Sequence, residues 1–361
     1  MAKLSFKSMT GRLRRGASCG FSLVEMLVSV AILVIILGVI FGLTQQTAKV
    51  YKSTGGQIEA FRSARNAFET MTRNLSLATL NNYYDYVDAS TGKTRADFIR
   101  DGSNLSSFNP STYARTSDMH FVSGWYTKTS GLYSNQITHS VFFQAPRGYT
   151  STTSFSSLEN LVNACGYYIE YKSDSGQPNF VSTTPVYRYR LMEFIQPSES
   201  LTVYTQSGTG WFTTALDPTL TPSPPVHQLA PNIIALIINP KSSSADASSL
   251  GAGDPIGSKI TDFQYNSRTN TSPTIHNQLP PILEIVMVAI DEASAARLLP
   301  NTSTPPTVIQ TALTTNSRFQ ILANLDSDLA DLGADLSKNK ITYRVFRTLV
   351  PLRNSKWSNE K

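Results

Sequence analysis

Cysteine and charge are both scarce in this chain of 361 residues. It has two cysteines, Cys19 and Cys165, and charged residues make up 16 % of the sequence. If the first twenty residues are removed, a single thiol remains and forms no internal disulfide, so the fold depends on its hydrophobic core. Abundant serine and threonine, with aromatic residues at 10 %, favour an exported β-rich domain with polar loops.

Motifs of the common catalytic and metal sites are absent. Beyond the first twenty residues, where residues 16–20 happen to match it, the sequence contains no Gly-x-Ser-x-Gly elbow, and it contains no Walker loop and no His-Glu-x-x-His motif. The four histidines are dispersed, with no neighbour at ligand spacing: His120, His139, His227 and His276. Each is expected to be a surface or strand residue. We therefore expect a protein that is not an enzyme and holds neither a cofactor nor a metal ion.

Basic charge is concentrated at the N-terminus. The formal net charge is +6, but five of the 31 lysines and arginines lie in residues 1–20, which contain no acid. The remainder then carries 26 basic and 25 acidic residues, so no nucleic-acid partner is expected. A basic end before an apolar segment predicts an N-terminus kept in the cytoplasm, with the rest of the chain exported.

An apolar segment follows this basic end. Residues 26–43 contain no charged side chain and a single hydroxyl, Ser29. As a helix they would be about 27 Å long, enough to cross the hydrocarbon layer of a lipid bilayer. Glu25 lies just inside the start of the segment. A carboxylate there costs roughly 2–3 kcal/mol at the bilayer centre and less near the interface, so its position implies a role.

The junction Gly20-Phe21-Ser22-Leu23-Val24-Glu25 resembles the class III signal of type IV prepilins and of the pseudopilins of type II secretion systems. The resemblance implies that a prepilin peptidase cuts after Gly20 and that Phe21, the new first residue, is N-methylated. It also implies that Glu25, the fifth mature residue, forms an ion pair during assembly. The combination of glycine, aromatic, glutamate, apolar run and basic leader makes the motif specific.

Other N-terminal signals fit less well. A secretory signal peptide has an apolar core of about 7–15 residues and then a cut site with small residues, whereas residues 41–45 offer no such site. A plain signal anchor has no use for Glu25. A lipoprotein signal is excluded because the apolar segment follows Cys19 and does not precede it.

A helical pattern continues beyond the apolar segment. Apolar residues recur at spacings of three and four: Phe61, Ala64, Phe68, Met71 and Leu75. Gly55 and Gly56 are expected to loosen or kink this helix. The resemblance implies an α+β, pilin-like fold, in which a long N-terminal helix has a transmembrane first half and packs its second half on an antiparallel sheet with long loops.

The expected organisation has four parts. They are a cleaved leader (1–20), a transmembrane helix (21–44), an amphipathic continuation (45–80) and an exported β-rich head (81–361). Seven segments of the head predict strands: residues 119–122, 141–143, 167–171, 187–191, 233–238, 282–288 and 341–350. Helices are predicted at 292–299, between Asp291 and Pro300, and along a leucine stripe at 322–336. Loops are expected at 217–225, 242–257 and 301–306.

Two groups of head residues could form binding sites, and a structural role is expected for both. The first is a set of acids on the second predicted helix: Asp326, Asp328, Asp331 and Asp335. The last three should lie on its solvated face, although calcium is an alternative. The second is a set of aromatic residues, which should serve packing more than recognition: Tyr83, Tyr84, Tyr86, Trp125, Trp211 and Trp357.

Three head segments extend the resemblance, at residues 229–236, 286–295 and 343–353. They look like the minor pseudopilin lettered J and a family called Verru_Chthon cassette protein C. This implies a non-enzymatic minor pseudopilin of the cytoplasmic (inner) membrane. Its partners would be a prepilin peptidase and methyltransferase, other pseudopilin subunits, an inner-membrane assembly platform and the lipid bilayer. The alternatives are an anchored extracytoplasmic binding or adhesion protein outside any filament, and an exported hydrolase with an unrecognised site.

Overall fold

The computed structural model describes residues 22–125, 138–173, 185–242, 263–269, 276–298 and 302–355. The chain divides into two compact units, Met1–Thr54 and Gly55–Lys361. Helix α1 (Leu23–Leu75) contributes residues to both units. It is the one helix in the described part of the chain that is long and apolar enough to cross a membrane.

The predicted apolar stripe of helix α1 is confirmed, whereas the predicted interruption at the two glycines is wrong. Ala64, Phe68, Met71 and Leu75 are buried, and Phe61 packs against the same core. Helical conformation continues through residues 55 and 56, so the glycines do not interrupt α1. The helix ends at Leu75, earlier than the boundary expected at residue 80.

Eleven strands form three antiparallel sheets in the described residues. The largest contains, in spatial order, β7 (Val226–Pro231), β6 (Tyr187–Gln196), β5 (Val162–Ser173), β4 (His139–Pro146), β3 (Val122–Trp125) and β9 (Tyr265–Asn266). The second contains β11 (Tyr343–Pro351), β10 (Ile282–Ile290) and β8 (Ile233–Lys241). The third is the hairpin of β1 (Asn82–Asp88) and β2 (Pro110–Ser117). With α1, these sheets form the α+β, pilin-like architecture that the sequence predicts.

Shorter helices connect the strands. Within the described segments, the α-helices after α1 are α2 (Arg95–Arg100), α3 (Gly210–Leu216), α4 (Glu292–Leu298), α5 (Thr307–Thr314) and α6 (Leu325–Lys338). Single 3₁₀ turns occur at Leu105–Ser107, Thr153–Phe155, Ser198–Ser200, Thr315–Ser317 and Leu322–Asn324. Asp291 caps α4 as predicted, because its Oδ1 accepts a hydrogen bond from Ser294 N at 2.9 Å. Leu299 and Pro300 lie outside the described residues.

Six of the seven predicted strands are confirmed, and the seventh is mostly wrong. Residues 119–121 precede β3 without joining it. Their backbone amides donate to side chains: that of His120 to Gln144 Oε1 at 2.7 Å, and that of Phe121 to Ser267 Oγ at 3.0 Å. Loops are found at 217–225 and 302–306 as predicted, whereas residues 243–257 and 301 lie outside the described part of the chain.

The main core lies between α1 and the sheets. Phe68 contributes to it, and its ring centroid lies 5.8 Å from that of Phe346 on β11. A buried polar network also joins α1 to strands β5 and β6 of the six-stranded sheet. Asn74 Nδ2 donates to the hydroxyl of Tyr167 at 2.8 Å, and that hydroxyl donates to Glu193 Oε1 at 2.7 Å. Burial raises the pKa of Tyr167 well above its usual value, so the phenol keeps the proton that it donates.

The six-stranded sheet is apolar on both faces. Val141 and Phe143 face the main core, whereas Phe142 between them belongs to a second cluster with α3. The ring of Phe142 stacks on that of Phe212, with centroids 4.0 Å apart. Gly166 in β5 lies opposite Phe142, and a Cβ atom at position 166 would overlap Phe142 Cδ1. A side chain at position 166 would therefore displace the stacked ring.

Candidate functional site

The start of α1 is fixed by two reciprocal hydrogen bonds. Ser22 immediately precedes the helix, and its backbone N donates to Glu25 Oε2 at 3.0 Å. In return, Glu25 N donates to Ser22 Oγ at 3.2 Å. This is a capping box, which satisfies two amides that a helix otherwise leaves unpaired. The carboxylate is thereby held at the first turn, where the helix dipole favours negative charge.

The side chains after Glu25 form an apolar surface around the whole helix. The large apolar residues between 26 and 43 are 49–67 % exposed. None of the most apolar 18 residues of α1 is buried within the structure. A surface this extensive needs an apolar environment, and a lipid bilayer has the matching thickness.

Of the three predicted site residues, Glu25 is the one that lies in the described part of the chain. Gly20 and Phe21, the proposed cut site and methylation site, lie outside the described residues, as does the rest of the leader. Their roles therefore stay predictions. Sequence reasoning missed Ser22, although its spacing from Glu25 is the capping-box pattern and was readable from the sequence.

The acidic residues of α6 do not converge on a common point. Asp328 is buried, which corrects its expected place on the solvated face, and its Oδ2 accepts from Phe319 N at 2.8 Å. Asp335 Oδ2 lies 2.7 Å from Arg318 Nη1. Asp326 Oδ1 lies 2.7 Å from Arg347 Nη1, and Asp331 is exposed. Among the described residues, no group of three His, Cys, Asp or Glu side chains is placed to hold a metal ion.

Two of the four histidines are buried. The expectation of a surface or strand position is wrong for His120, which is fully buried before β3. Its Nδ1 accepts from Trp211 Nε1 at 3.1 Å, and its Nε2 lies 2.7 Å from Asn266 Oδ1. Burial and the charge of Arg268 lower the pKa of His120 to about 3, so the ring is neutral at physiological pH. His139 is a strand residue, also buried, on β4.

The aromatic candidates divide into packed and exposed residues. Trp211 is buried against the six-stranded sheet, as expected. Tyr83, Tyr84 and Tyr86 are exposed on β1, which contradicts the expectation of packing, and the ring of Tyr86 lies 4.5 Å from that of Tyr113 on β2. Trp357 and the side chain of Trp125 lie outside the described residues.

The comparisons with known proteins concern the N-terminal motif. Residues 15–41 match the family model of the prokaryotic N-terminal methylation motif. No curated protein matches the chain, and no solved structure matches it. Proteins with this motif are structural subunits, and the apolar helix fits a single-pass membrane anchor. The match supports the pilin and pseudopilin family and indicates a type IV pilin-like protein that is processed by prepilin peptidase.

Proposed function

We propose that this protein is a membrane-anchored minor pseudopilin. Prepilin peptidase removes residues 1–20 after Gly20, and Phe21 is then N-methylated. The N-terminus is cytoplasmic, the helix rests in the inner membrane, and the head is extracytoplasmic. The subunit assembles with other pseudopilins on an inner-membrane platform into a pilus-like filament of a type II secretion or type IV pilus-like system. The observation that carries this proposal is the capped Glu25 at the start of the exposed apolar first part of α1.

The chemistry of assembly follows from two charges. Cutting after Gly20 gives Phe21 a free amine, which is basic with or without a methyl group. In a filament, helices stack with an axial offset, so Glu25 of one subunit meets the Phe21 amine of a neighbour. Pairing stabilises two charges that would otherwise lie in hydrocarbon, and it sets the axial register.

The size of the head supports a minor position. Residues 81–361 form a much larger body than the helix that would anchor them, and bulky heads hinder regular stacking along a shaft. A place near the filament tip relieves this crowding, because a tip subunit has fewer neighbours.

Processing is tested at Gly20. Its lack of a side chain lets the peptidase approach the backbone, so Gly20→Val should leave the leader attached and block assembly. The wild-type chain should begin at N-methylated Phe21 by mass spectrometry. Mature-length protein from the Gly20→Val variant would contradict cleavage at this position.

Glu25 is tested with two substitutions that separate charge from capping. Gln can replace Glu in a capping box, so Glu25→Gln keeps the bond from Ser22 N and loses the charge. Glu25→Val loses both. If pairing with Phe21 drives assembly, both variants should be cleaved and inserted normally and should crosslink poorly to partner subunits. Normal crosslinking of Glu25→Gln would reduce the role of Glu25 to helix capping.

The alternative is an anchored binding or adhesion protein that does not enter a filament. The exposed tyrosines of the β1–β2 hairpin favour it, because exposed aromatic residues are common in binding surfaces: Tyr84, Tyr86 and Tyr113. An intact leader on the wild-type chain would favour this alternative. Release of the processed chain from the membrane into a sedimentable filament would exclude it.

A further inference from the structure

The head contains a polar cavity that is separate from the N-terminal motif. Its volume is about 340 Å³, and α2 forms one wall. Residues from three distant segments line it, among them Lys93, Asp97, Arg100, Gly208 and Arg268. This volume is at the lower end of the range of about 300–1,000 Å³ that is typical of small-molecule sites.

Both carboxylates that line the cavity already have cationic partners. Asp101 Oδ2 lies 2.6 Å from Lys93 Nζ, and Asp97 Oδ1 lies 2.6 Å from Arg100 Nη1. Arg100 is buried and also reaches Asp118 Oδ1 through Nη2 at 3.4 Å. The cations of these pairs are therefore compensated.

Arg268 is the cation of the cavity that has no carboxylate partner among the described residues. Its Nη2 donates to two carbonyl oxygens, those of Asp118 and of Val203, the latter at 3.1 Å. Its Nε and Nη1 are buried and have no acceptor, and the same holds for Arg100 Nε. A guanidinium group whose nitrogens are buried without an acceptor or a counter-charge destabilises the fold.

The two guanidinium groups also affect each other. Burial first, and then the positive charge of Arg100, lower the pKa of Arg268 to about 9. Asp97 and Asp118 oppose this shift without reversing it. The lining of the cavity carries three cations and two carboxylates, and the nearby third carboxylate, Asp118, pairs with Arg100. An anion within the cavity would give Arg268 a counter-charge of its own.

We propose that this cavity binds a small molecule through a carboxylate or phosphoryl group, with Arg268 as its principal charge partner. Guanidinium groups pair with both anions, often through two parallel hydrogen bonds. Lys93 also lines the cavity, and because its side chain is half exposed it can share its charge between Asp101 and a bound anion. This role is independent of the assembly function of the N-terminal helix.

The test uses the full processed chain in detergent, with sodium phosphate and sodium glucuronate as separate probes. Sodium chloride at equal ionic strength is the reference. The probe whose group fits should raise the midpoint of thermal unfolding by about 5 °C when its concentration is near 100 times its dissociation constant. A response to glucuronate alone would assign a carboxylate, and a response to phosphate alone would assign a phosphoryl group.

Substitutions in and outside the cavity test whether the thermal shift comes from anion binding in the cavity. Arg268→Gln should abolish the shift, and Lys93→Gln should weaken binding several-fold while the protein stays folded. Arg65→Gln, which changes an exposed arginine on α1, should leave the shift unchanged. No shift with either probe would overturn the proposal. An equal shift in the wild type and in both cavity variants would also overturn it, since the anion would then act elsewhere. If Arg268→Gln fails to fold, the Lys93→Gln result decides.

Discussion

The two parts of α1 carry apolar side chains in opposite settings. Between residues 26 and 43 the large apolar side chains are exposed on every side of the helix. From Phe61 to Leu75 they lie on a single stripe, and that stripe packs in the core of the head. Periodicity, more than total hydropathy, therefore determines where a helix packs. A uniformly apolar surface suits lipid, whereas a stripe suits a sheet.

Removing the first part is the strongest test of this comparison. A chain that begins at Gly55 keeps every residue of the second compact unit. It should stay soluble without detergent and melt cooperatively, whereas the chain from Phe21 should precipitate without detergent. Size-exclusion chromatography and calorimetry measure both properties. An aggregated or non-cooperative head would mean that residues 21–54 contribute to its core.

A matched pair of substitutions compares the two parts directly. Phe68 is 7 % exposed and Leu33 is 54 % exposed. Phe68→Ala should lower the free energy of unfolding of the head by about 3–5 kcal/mol, because it removes a buried ring. Leu33→Ala should leave head stability unchanged. Urea denaturation of both variants in detergent measures this, and equal effects would contradict the division of α1.

Lowering the pH should decrease the free energy of unfolding of the head, because His120 is buried there. His120 has a pKa of about 3 in the folded head and an ordinary value of 6.5 when unfolded. Because the unfolded chain binds the proton first, stability falls as the pH decreases below 6.5. From about pH 7 to about pH 4 the loss attributable to His120 should reach about 3 kcal/mol.

His120→Gln should flatten this pH dependence, measured by urea denaturation at each pH. Substitution of His227, which is exposed on β7, provides the control. His227→Gln should keep the wild-type pH dependence. If His120→Gln kept it as well, another group would be responsible.

The smallest effect is expected on the exposed side of the second part of α1. Arg65 Nε lies 2.8 Å from Glu69 Oε1, and both side chains are more than half exposed. Arg65→Ala should change the free energy of unfolding by no more than about 0.5 kcal/mol, because solvent screens the pair. A larger loss in urea denaturation would show that this side of the helix also packs.

The sequence predicts the parts of the fold that depend on local pattern. The stripe of α1, the apolar strands β8 and β10 and the cap of α4 were all readable from residue types and spacing. The β1–β2 hairpin was missed because β2 is mostly polar and is stabilised by pairing with a strand more than twenty residues away.

The errors have a common physical origin. Asp328 and His120 were misplaced because their hydrogen-bond partners come from other segments of the chain. The cavity around Arg268 was invisible for the same reason, since its cations lie on segments separated by more than 150 residues. At the N-terminus, by contrast, Ser22 and Glu25 are three residues apart, so the spacing alone contained the capping box, although only Glu25 was singled out from it.

The burial of Cys165 means that a chain cut after Gly20, as proposed, should not react with thiol reagents while it is folded. Burial raises the pKa of this thiol to about 12, and the reactive form is the thiolate. Cys19 lies in residues 1–20, so a maleimide applied to folded protein should label chains that keep the leader and leave processed chains unlabelled. A cysteine introduced on the head surface would then be the sole reactive group of the mature subunit. Neighbours in an assembled filament could be mapped with it without altering the native sequence elsewhere.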